Sequence, residues 1–109
     1  MKPTQEQVEK FWRWCGFEDK WEDTRRLYLV QWQYPDGQKR AKLPTLNLNS
    51  FFKWAVPKLA MYEVNSYNQG DCHDAWVALD SDGKTWTAAC DKDPALALFW
   101  AIYKVMEGQ

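Results

Sequence analysis

The chain has 109 residues, a hydrophobic fraction of 46% and a formal net charge of −1 from 14 basic and 15 acidic side chains. This length and composition fit one globular domain with its own core and exclude a disordered or fibrous chain. The balanced charge argues against attraction of the whole molecule to nucleic acid or to an anionic membrane.

The longest apolar stretch, residues 95–103, is shorter than the roughly 20 residues that a membrane span needs. The first ten residues also lack the apolar segment of a signal peptide. Without a secretion signal, the widely spaced Cys15, Cys72 and Cys90 are expected to be reduced and mostly buried thiols. The sequence therefore predicts a soluble cytoplasmic protein that does not contact a membrane.

The first predicted element is a helix over 5–15. Thr4 followed by Gln7 fits a capping box, in which the hydroxyl accepts an N-terminal amide and the glutamine side chain reaches back. Gly16 suits the left-handed backbone position that ends many helices, and Phe17 follows where the accompanying hydrophobic contact is made.

The next residues predict a β-hairpin. Charged residues 18–25 are predicted to be a surface loop, and the β-branched and aromatic residues at 26–34 predict a strand. Pro35 and Gly37 favour a turn, because proline fixes φ at its second position and glycine accepts a positive φ. A short strand over 38–43 completes the hairpin.

A second helix is predicted over 48–59, with Asn47 or Asn49 as its N-cap. Pro57 conflicts with a continuous helix, because proline removes an amide donor and clashes with the preceding turn. We therefore expect a kink or an early end near Ala55.

Three strands are predicted next, over 60–67, 74–80 and 84–90. Residues 68–71 are predicted to form the turn between the first two strands. The Asp-Gly pair within 81–83 is a strong hairpin signal between the last two.

A final helix is predicted over 94–107, capped by Asp93 and with Pro94 in its first position. Residues 95–106 hold one charged side chain, so this helix must be covered nearly all round. It is either the central core helix or half of a contact between two copies. The side chains predicted for self-association in a homodimer are Phe99, Trp100 and Tyr103.

These elements predict an α+β fold in the order α-β-β-α-β-β-β-α, with an antiparallel sheet packed between helices. We expect a single domain over 1–109. Within it, a helix and hairpin extension (1–45) precedes an α-β-β-β-α core (46–109).

Four potential metal ligands stand in a row at 71–74, in the order Asp-Cys-His-Asp. Alternation along an extended chain turns Cys72 and Asp74 to one side and His73 to the other. A closed zinc site needs four convergent ligands, usually in two spaced pairs, and the sequence has one histidine and no second Cys/His pair. We predict a polar turn that leads into a strand, with no metal site and no cofactor.

The arrangement of potential nucleophiles does not predict catalysis. Cys72 is too close to His73 in sequence for the geometry of a nucleophile and its base, and Ser50 and Ser66 have only His73 as a base. The five glycines are scattered, and none opens a helix as in a phosphate-binding loop. The sequence therefore predicts no catalytic residue and a protein that is not an enzyme.

The charge pattern bears on nucleic-acid binding in two segments, 91–94 and 38–42. The elements over 47–107 follow the layout of a double-stranded RNA-binding domain, but the entry to the last helix (91–94, DKDP) is acidic where that module needs basic residues. The basic stretch over 38–42 fits either phosphate binding with ring stacking or a solvated edge strand whose lysines discourage pairing. The residues of this candidate binding surface are Trp32, Tyr34, Lys39, Arg40 and Lys42.

The aromatic content is high for a small core, with eight tryptophans, five tyrosines and five phenylalanines. Some of these rings are expected at the surface or against a partner, because aromatic residues are enriched at interface centres. Trp76 and Trp86 lie on strands joined by the Asp-Gly turn and are expected to form a cross-strand pair.

Four segments together carry a resemblance to a known family. They are 14–17 (WCGF), 32–37 (WQYPDG), 43–59 (LPTLNLNSFFKWAVPKL) and 91–102 (DKDPALALFWAI). In these segments the chain resembles the small phage and prophage proteins grouped as the phage ABA sandwich domain. The resemblance implies an α/β sandwich with an antiparallel sheet between helices, and it carries no catalytic residues to transfer.

The function hypothesis combines this resemblance with the surplus of aromatic residues and the lack of a reactive constellation. It is a non-enzymatic, phage- or prophage-encoded accessory protein in the cytoplasm of a host bacterial cell, which binds a macromolecular partner. The specific hypothesis is a host protein partner, with inhibition of a defence complex of the kind targeted by anti-CRISPR proteins. The alternatives are a small-ligand module that binds a nucleotide and a nucleic-acid binder that uses the 38–42 hairpin.

Overall fold

The structure, a computed structural model, describes residues 1–24, 27–67 and 72–108. The predicted turn at 68–71 lies outside these residues. The described elements are α1 (Gln5–Trp14), β1 (Glu18–Thr24), β2 (Leu27–Gln33), β3 (Lys39–Arg40), α2 (Leu48–Trp54), a 3₁₀ turn (Val56–Lys58), β4 (Met61–Tyr67), β5 (Cys72–Ala78), β6 (Trp86–Asp91) and α3 (Pro94–Glu107). Together they confirm the predicted α+β class.

The chain divides into two compact units. The N-terminal unit is Pro3–Pro44, and the C-terminal unit starts at Thr45 and includes Met1–Lys2. The strands form two three-stranded antiparallel sheets, β1-β2-β3 in the N-terminal unit and β4-β5-β6 in the C-terminal unit. Among the described residues, no helix has the length and apolar character of a membrane span.

Helix α1 has both of the predicted ends. The Thr4 hydroxyl accepts from the Gln7 amide at 3.2 Å, and the Gln7 side chain accepts from the Thr4 amide at 2.9 Å. Gly16 adopts φ = +104°, and the Phe17 amide donates to the Trp12 carbonyl at 3.0 Å. The two rings then meet at a centroid distance of 5.1 Å, which is the hydrophobic contact of this type of helix end.

The prediction of a surface loop over 18–25 is wrong, because most of this segment forms strand β1. This strand pairs antiparallel with β2 in a continuous register from Glu18 opposite Gln33 to Thr24 opposite Leu27. Backbone pairing with a strong neighbouring strand outweighs the low intrinsic strand preference of the acidic residues. Strand β3 is shorter than predicted, since only Lys39–Arg40 pairs with β2.

Helix α2 begins and ends as its local signals require. The Asn47 side chain accepts from the Ser50 amide at 2.8 Å, which identifies Asn47 as the cap. The α-helix ends at Trp54, with Ala55 as its C-cap, and Pro57 lies in the 3₁₀ turn that follows. The early end near Ala55 is therefore confirmed, and proline is accommodated where no α-helical hydrogen bond is required of it.

Helix α3 covers one face of the second sheet. The Asp93 side chain caps it by accepting from the Ala95 amide at 2.9 Å. Ala75 and Val77 of β5 are fully buried on the covered face, and the Thr87 hydroxyl of β6 donates to a carbonyl of α3. Phe99 of α3 packs on Phe51 of α2 at a centroid distance of 6.3 Å. The core of the C-terminal unit thus lies on this side of the sheet.

Candidate functional site

The opposite face of the second sheet is exposed along β6 and half-buried at Cys72, Asp74 and Trp76 of β5. Along β6, positions 86, 88 and 90 are exposed while positions 87, 89 and 91 are half-buried. The register between the three strands places the corresponding positions of β4 and β5 on the same side. We call this surface the outer sheet face; its residues are Met61, Glu63, Asn65, Cys72, Asp74, Trp76, Trp86, Ala88 and Cys90.

One end of the outer sheet face is aromatic. Trp86 is 54% exposed and Met61 is 40% exposed. Trp76 contacts Trp86 with ring centroids 6.2 Å apart and an interplanar angle of 31°. The register sets Trp86 opposite Ala78, so the two indoles meet on the diagonal. The predicted cross-strand pair is confirmed in this form.

A shallow depression of about 550 Å³ lies beside Trp76, one member of the indole pair. Its lining includes Met61, Glu63, Asn65, Asp74, Trp76 and Ala88. The apolar side chains of Met61, Trp76 and Ala88 therefore lie next to the carboxylates of Glu63 and Asp74. Such a surface suits a ligand group that is both apolar and cationic.

The other end of the outer sheet face gathers sulfur and carboxylate groups. Asp74 of β5 lies opposite Cys90 of β6, and Cys72 precedes Asp74 by two residues on the same strand. Their ligand atoms, two Sγ and one carboxylate oxygen, all lie within 4.8 Å of one another. Cys72 and Asp74 do share a side, as predicted. The sequence argument missed Cys90, because only the pairing of β5 with β6 brings it to them. The expectation of mostly buried thiols is wrong for both cysteines of this sheet, since Cys72 is half-buried and Cys90 is exposed.

His73 lies on the other side of the sheet, as predicted. Its Nδ1 is 2.8 Å from the Ser66 hydroxyl, because the two residues are directly opposite on β5 and β4. Asp91 lies opposite His73 on β6, but its carboxylate accepts from the Asp93 amide and from the Met1 ammonium group. The Asp93 amide and then the ammonium group hold the pKa of Asp91 below its usual 3.8. The Asp91 carboxylate is therefore engaged by the Asp93 amide and the Met1 ammonium group.

The candidate binding surface in the N-terminal unit differs from its prediction at two residues. Trp32 and Tyr34 are 6% and 5% exposed, so neither ring is available to stack on a base. Tyr34 donates its hydroxyl to the Lys42 carbonyl at 2.6 Å, and the Arg40 guanidinium lies 4.8 Å from the Tyr34 ring centre. Lys39, Arg40 and Lys42 are exposed, and phosphate binding by them stays a prediction.

The three residues predicted for self-association also differ in their solvent exposure. Phe99 is fully buried within the chain, so its ring is not offered to a second copy. Trp100 and Tyr103 are half-buried, and the Trp100 indole donates to the Met1 carbonyl at 2.8 Å. Self-association through α3 stays a prediction that rests on these two residues.

Comparison of the chain with protein-family models, curated proteins and solved structures gives no match in any of the three. The resemblance to the phage ABA sandwich domain therefore stays a prediction. The functional argument rests on the geometry of this chain's own residues.

Proposed function

We propose that this chain is a non-enzymatic binding protein whose outer sheet face docks a protein partner. The partner surface presents arginine or lysine together with apolar side chains. The observation that carries the proposal is the contact of the exposed Trp86 indole with the half-buried Trp76 indole, beside the carboxylates of Glu63 and Asp74.

The indole pair supports docking through buried area. Tryptophan is among the residues whose removal most weakens protein interfaces, and each large ring buries about 150–250 Å² when covered. Trp86 is 54% exposed and already packs on Trp76, so a partner covers it without first ordering a flexible side chain. A sheet also holds these rings on a rigid backbone.

The charge of this region supports a basic partner. Residues 61–109 carry three lysines and eight acidic residues, a net charge of −5. Two of the acidic side chains, Glu63 and Asp74, lie on the outer sheet face itself. A guanidinium group pairs with a carboxylate and stacks on an indole, so arginine satisfies both features of this surface.

The non-enzymatic part of the proposal is supported by the contacts of the carboxylate nearest to the single histidine in the sequence. The Asp91 carboxylate opposite His73 is occupied by the Asp93 amide and the Met1 ammonium group. The resemblance given above supports the more specific proposal that the chain is phage-encoded and that its partner is a host protein of a defence complex.

The test is a selection from a displayed library of protein fragments on the immobilised full chain. We expect the selected fragments to be rich in arginine, lysine and apolar residues. Trp86→Ala should weaken their binding by about tenfold or more, since a hot-spot tryptophan contributes on that scale. Glu63→Lys should weaken it through charge repulsion, and raised salt should slow association.

Phe52→Ala is the matched control. Phe52 is an aromatic residue of similar exposure, 42%, but its ring packs on Tyr62 away from the outer sheet face. Binding should be unchanged in this variant. Fragments that are acidic, or that bind Trp86→Ala as well as the wild type, would contradict the proposal. A bound nucleotide mass in native mass spectrometry would favour the small-ligand alternative instead.

A further inference from the structure

We infer that Cys72, Asp74 and Cys90 form a Zn²⁺-binding site at the end of the outer sheet face. Their two sulfur atoms and one carboxylate oxygen lie within 4.8 Å of one another. The site shares Asp74 with the proposed docking surface but includes neither indole, and the inference holds whether or not a protein docks there.

The backbone of the sheet brings these ligands together. Cys72 and Asp74 are two residues apart on β5, and alternation points both to the outer face. Cys90 is the direct cross-strand neighbour of Asp74 on β6. Hydrogen-bonded strands fix this spacing, so the ligands are positioned before an ion arrives.

The distances suit a tetrahedral ion. With Zn–S bonds of about 2.3 Å, two thiolates on one tetrahedral ion lie about 3.8 Å apart. The two sulfur atoms, which lie within 4.8 Å of each other, therefore need to approach by at most about 1 Å, and the carboxylate oxygen needs to approach by a few tenths of an ångström more. Small side-chain rotations supply these movements. Cys90 is exposed and the other two residues are half-buried, so an ion has a direct path from solvent.

The donor set identifies the class of ion. Thiolates favour Zn²⁺ and other soft ions over Mg²⁺ and Ca²⁺, and a carboxylate is an accepted third ligand of zinc. Three protein ligands leave the fourth position for water or for a group from a bound molecule. Such an ion would bridge β5 and β6 and raise the melting temperature by mass action.

The experiment uses the full chain after reduction and removal of metal with a chelator. Zn²⁺ is titrated by calorimetry and Co²⁺ by absorption spectroscopy. We expect one ion per chain and a thiolate-to-cobalt charge-transfer band, which oxygen and nitrogen ligands do not give. Cys72→Ala and Cys90→Ala should each abolish the band, and Asp74→Asn should weaken Zn²⁺ binding by about tenfold or more.

Cys15→Ala is the matched control, because it removes the buried cysteine of the N-terminal unit by the same substitution. It should leave the stoichiometry and the cobalt band unchanged. The inference is overturned if the wild type gives no band, or if the band survives in Cys72→Ala or Cys90→Ala. It is also overturned if the two thiols form a disulfide in air and the reduced chain takes up no ion.

Discussion

Asp91 shows how one carboxylate links three parts of the C-terminal unit. It ends β6, accepts from the Asp93 amide at 2.9 Å just before α3, and binds the Met1 ammonium group. These contacts lower the pKa of Asp91 in the folded chain, the Asp93 amide most and the ammonium group next. Because the charged form is favoured by folding, the carboxylate stabilises the fold only while it is ionised.

The expected result for Asp91→Asn is therefore pH-dependent. The unfolded-state pKa is near the usual 3.8, and the folded pKa lies below it. The stabilisation is complete above the unfolded pKa and is lost as the pH falls through the folded pKa. The variant should melt a few degrees lower than the wild type near neutral pH, and the difference should shrink below about pH 4.

Thermal melts followed by circular dichroism at several pH values measure this difference. Asp36→Asn is the control, because its side chain also accepts from a nearby amide, that of Gln38 at 2.9 Å, but stands in the N-terminal unit. A difference between wild type and Asp91→Asn that stays constant down to pH 2.5 would refute the role given to the charge.

At the scale of single elements, α2 presents two adjacent phenylalanines in opposite situations. Phe51 is fully buried against Phe99, whereas Phe52 is 42% exposed beside Tyr62. Phe51→Ala should cost about 3–5 kcal/mol of unfolding free energy, because it leaves a cavity in the core. Phe52→Ala should cost about 1 kcal/mol or less.

Urea denaturation of the two variants compares the same change at neighbouring positions of one helix. The ratio of the two costs is the informative quantity, since helix propensity changes equally in both. Equal losses of stability would mean that α2 does not pack with its Phe51 face on α3.

The elements also show which structural features are readable from sequence. The ends of α1, α2 and α3 were predictable because caps are local: Thr4, Asn47 and Asp93 each bond an amide within three residues. Strand β1 was not, because its acidic residues become a strand only through pairing with β2. Local propensity carries no information about such a partner.

The same division applies to the candidate site. The shared side of Cys72 and Asp74 follows from alternation within one strand, so the sequence predicts it. The addition of Cys90 depends on the register between β5 and β6, which is set by the loop and by burial of the inner face. Burial of Trp32 and Tyr34 likewise depends on packing in the N-terminal unit, so their rings were misplaced at the surface.

At the scale of the whole molecule, charge separates along the chain. Residues 31–60 carry five basic side chains and one acidic side chain, a net charge of +4, whereas residues 61–109 carry −5. The proposed protein docking uses the acidic part, and the nucleic-acid alternative uses the basic part. The two functions therefore respond in opposite directions to the same changes of charge.

The separation of charge along the chain gives a prediction for nucleic-acid binding. The exposed basic residues of the hairpin are Lys39, Arg40 and Lys42, and the neighbouring Trp32 and Tyr34 rings are buried and supply no stacking. About three phosphate contacts without stacking give weak binding that falls steeply with salt. We expect no electrophoretic shift of single- or double-stranded oligonucleotides at about 150 mM salt, and a weak shift at low salt that Lys39→Glu/Arg40→Glu abolishes.

Glu63→Lys, which adds positive charge to the outer sheet face, is the control for a general effect of net charge. A shift that persists in the double variant at about 150 mM salt would show that nucleic acid binds elsewhere on the chain and would contradict this prediction.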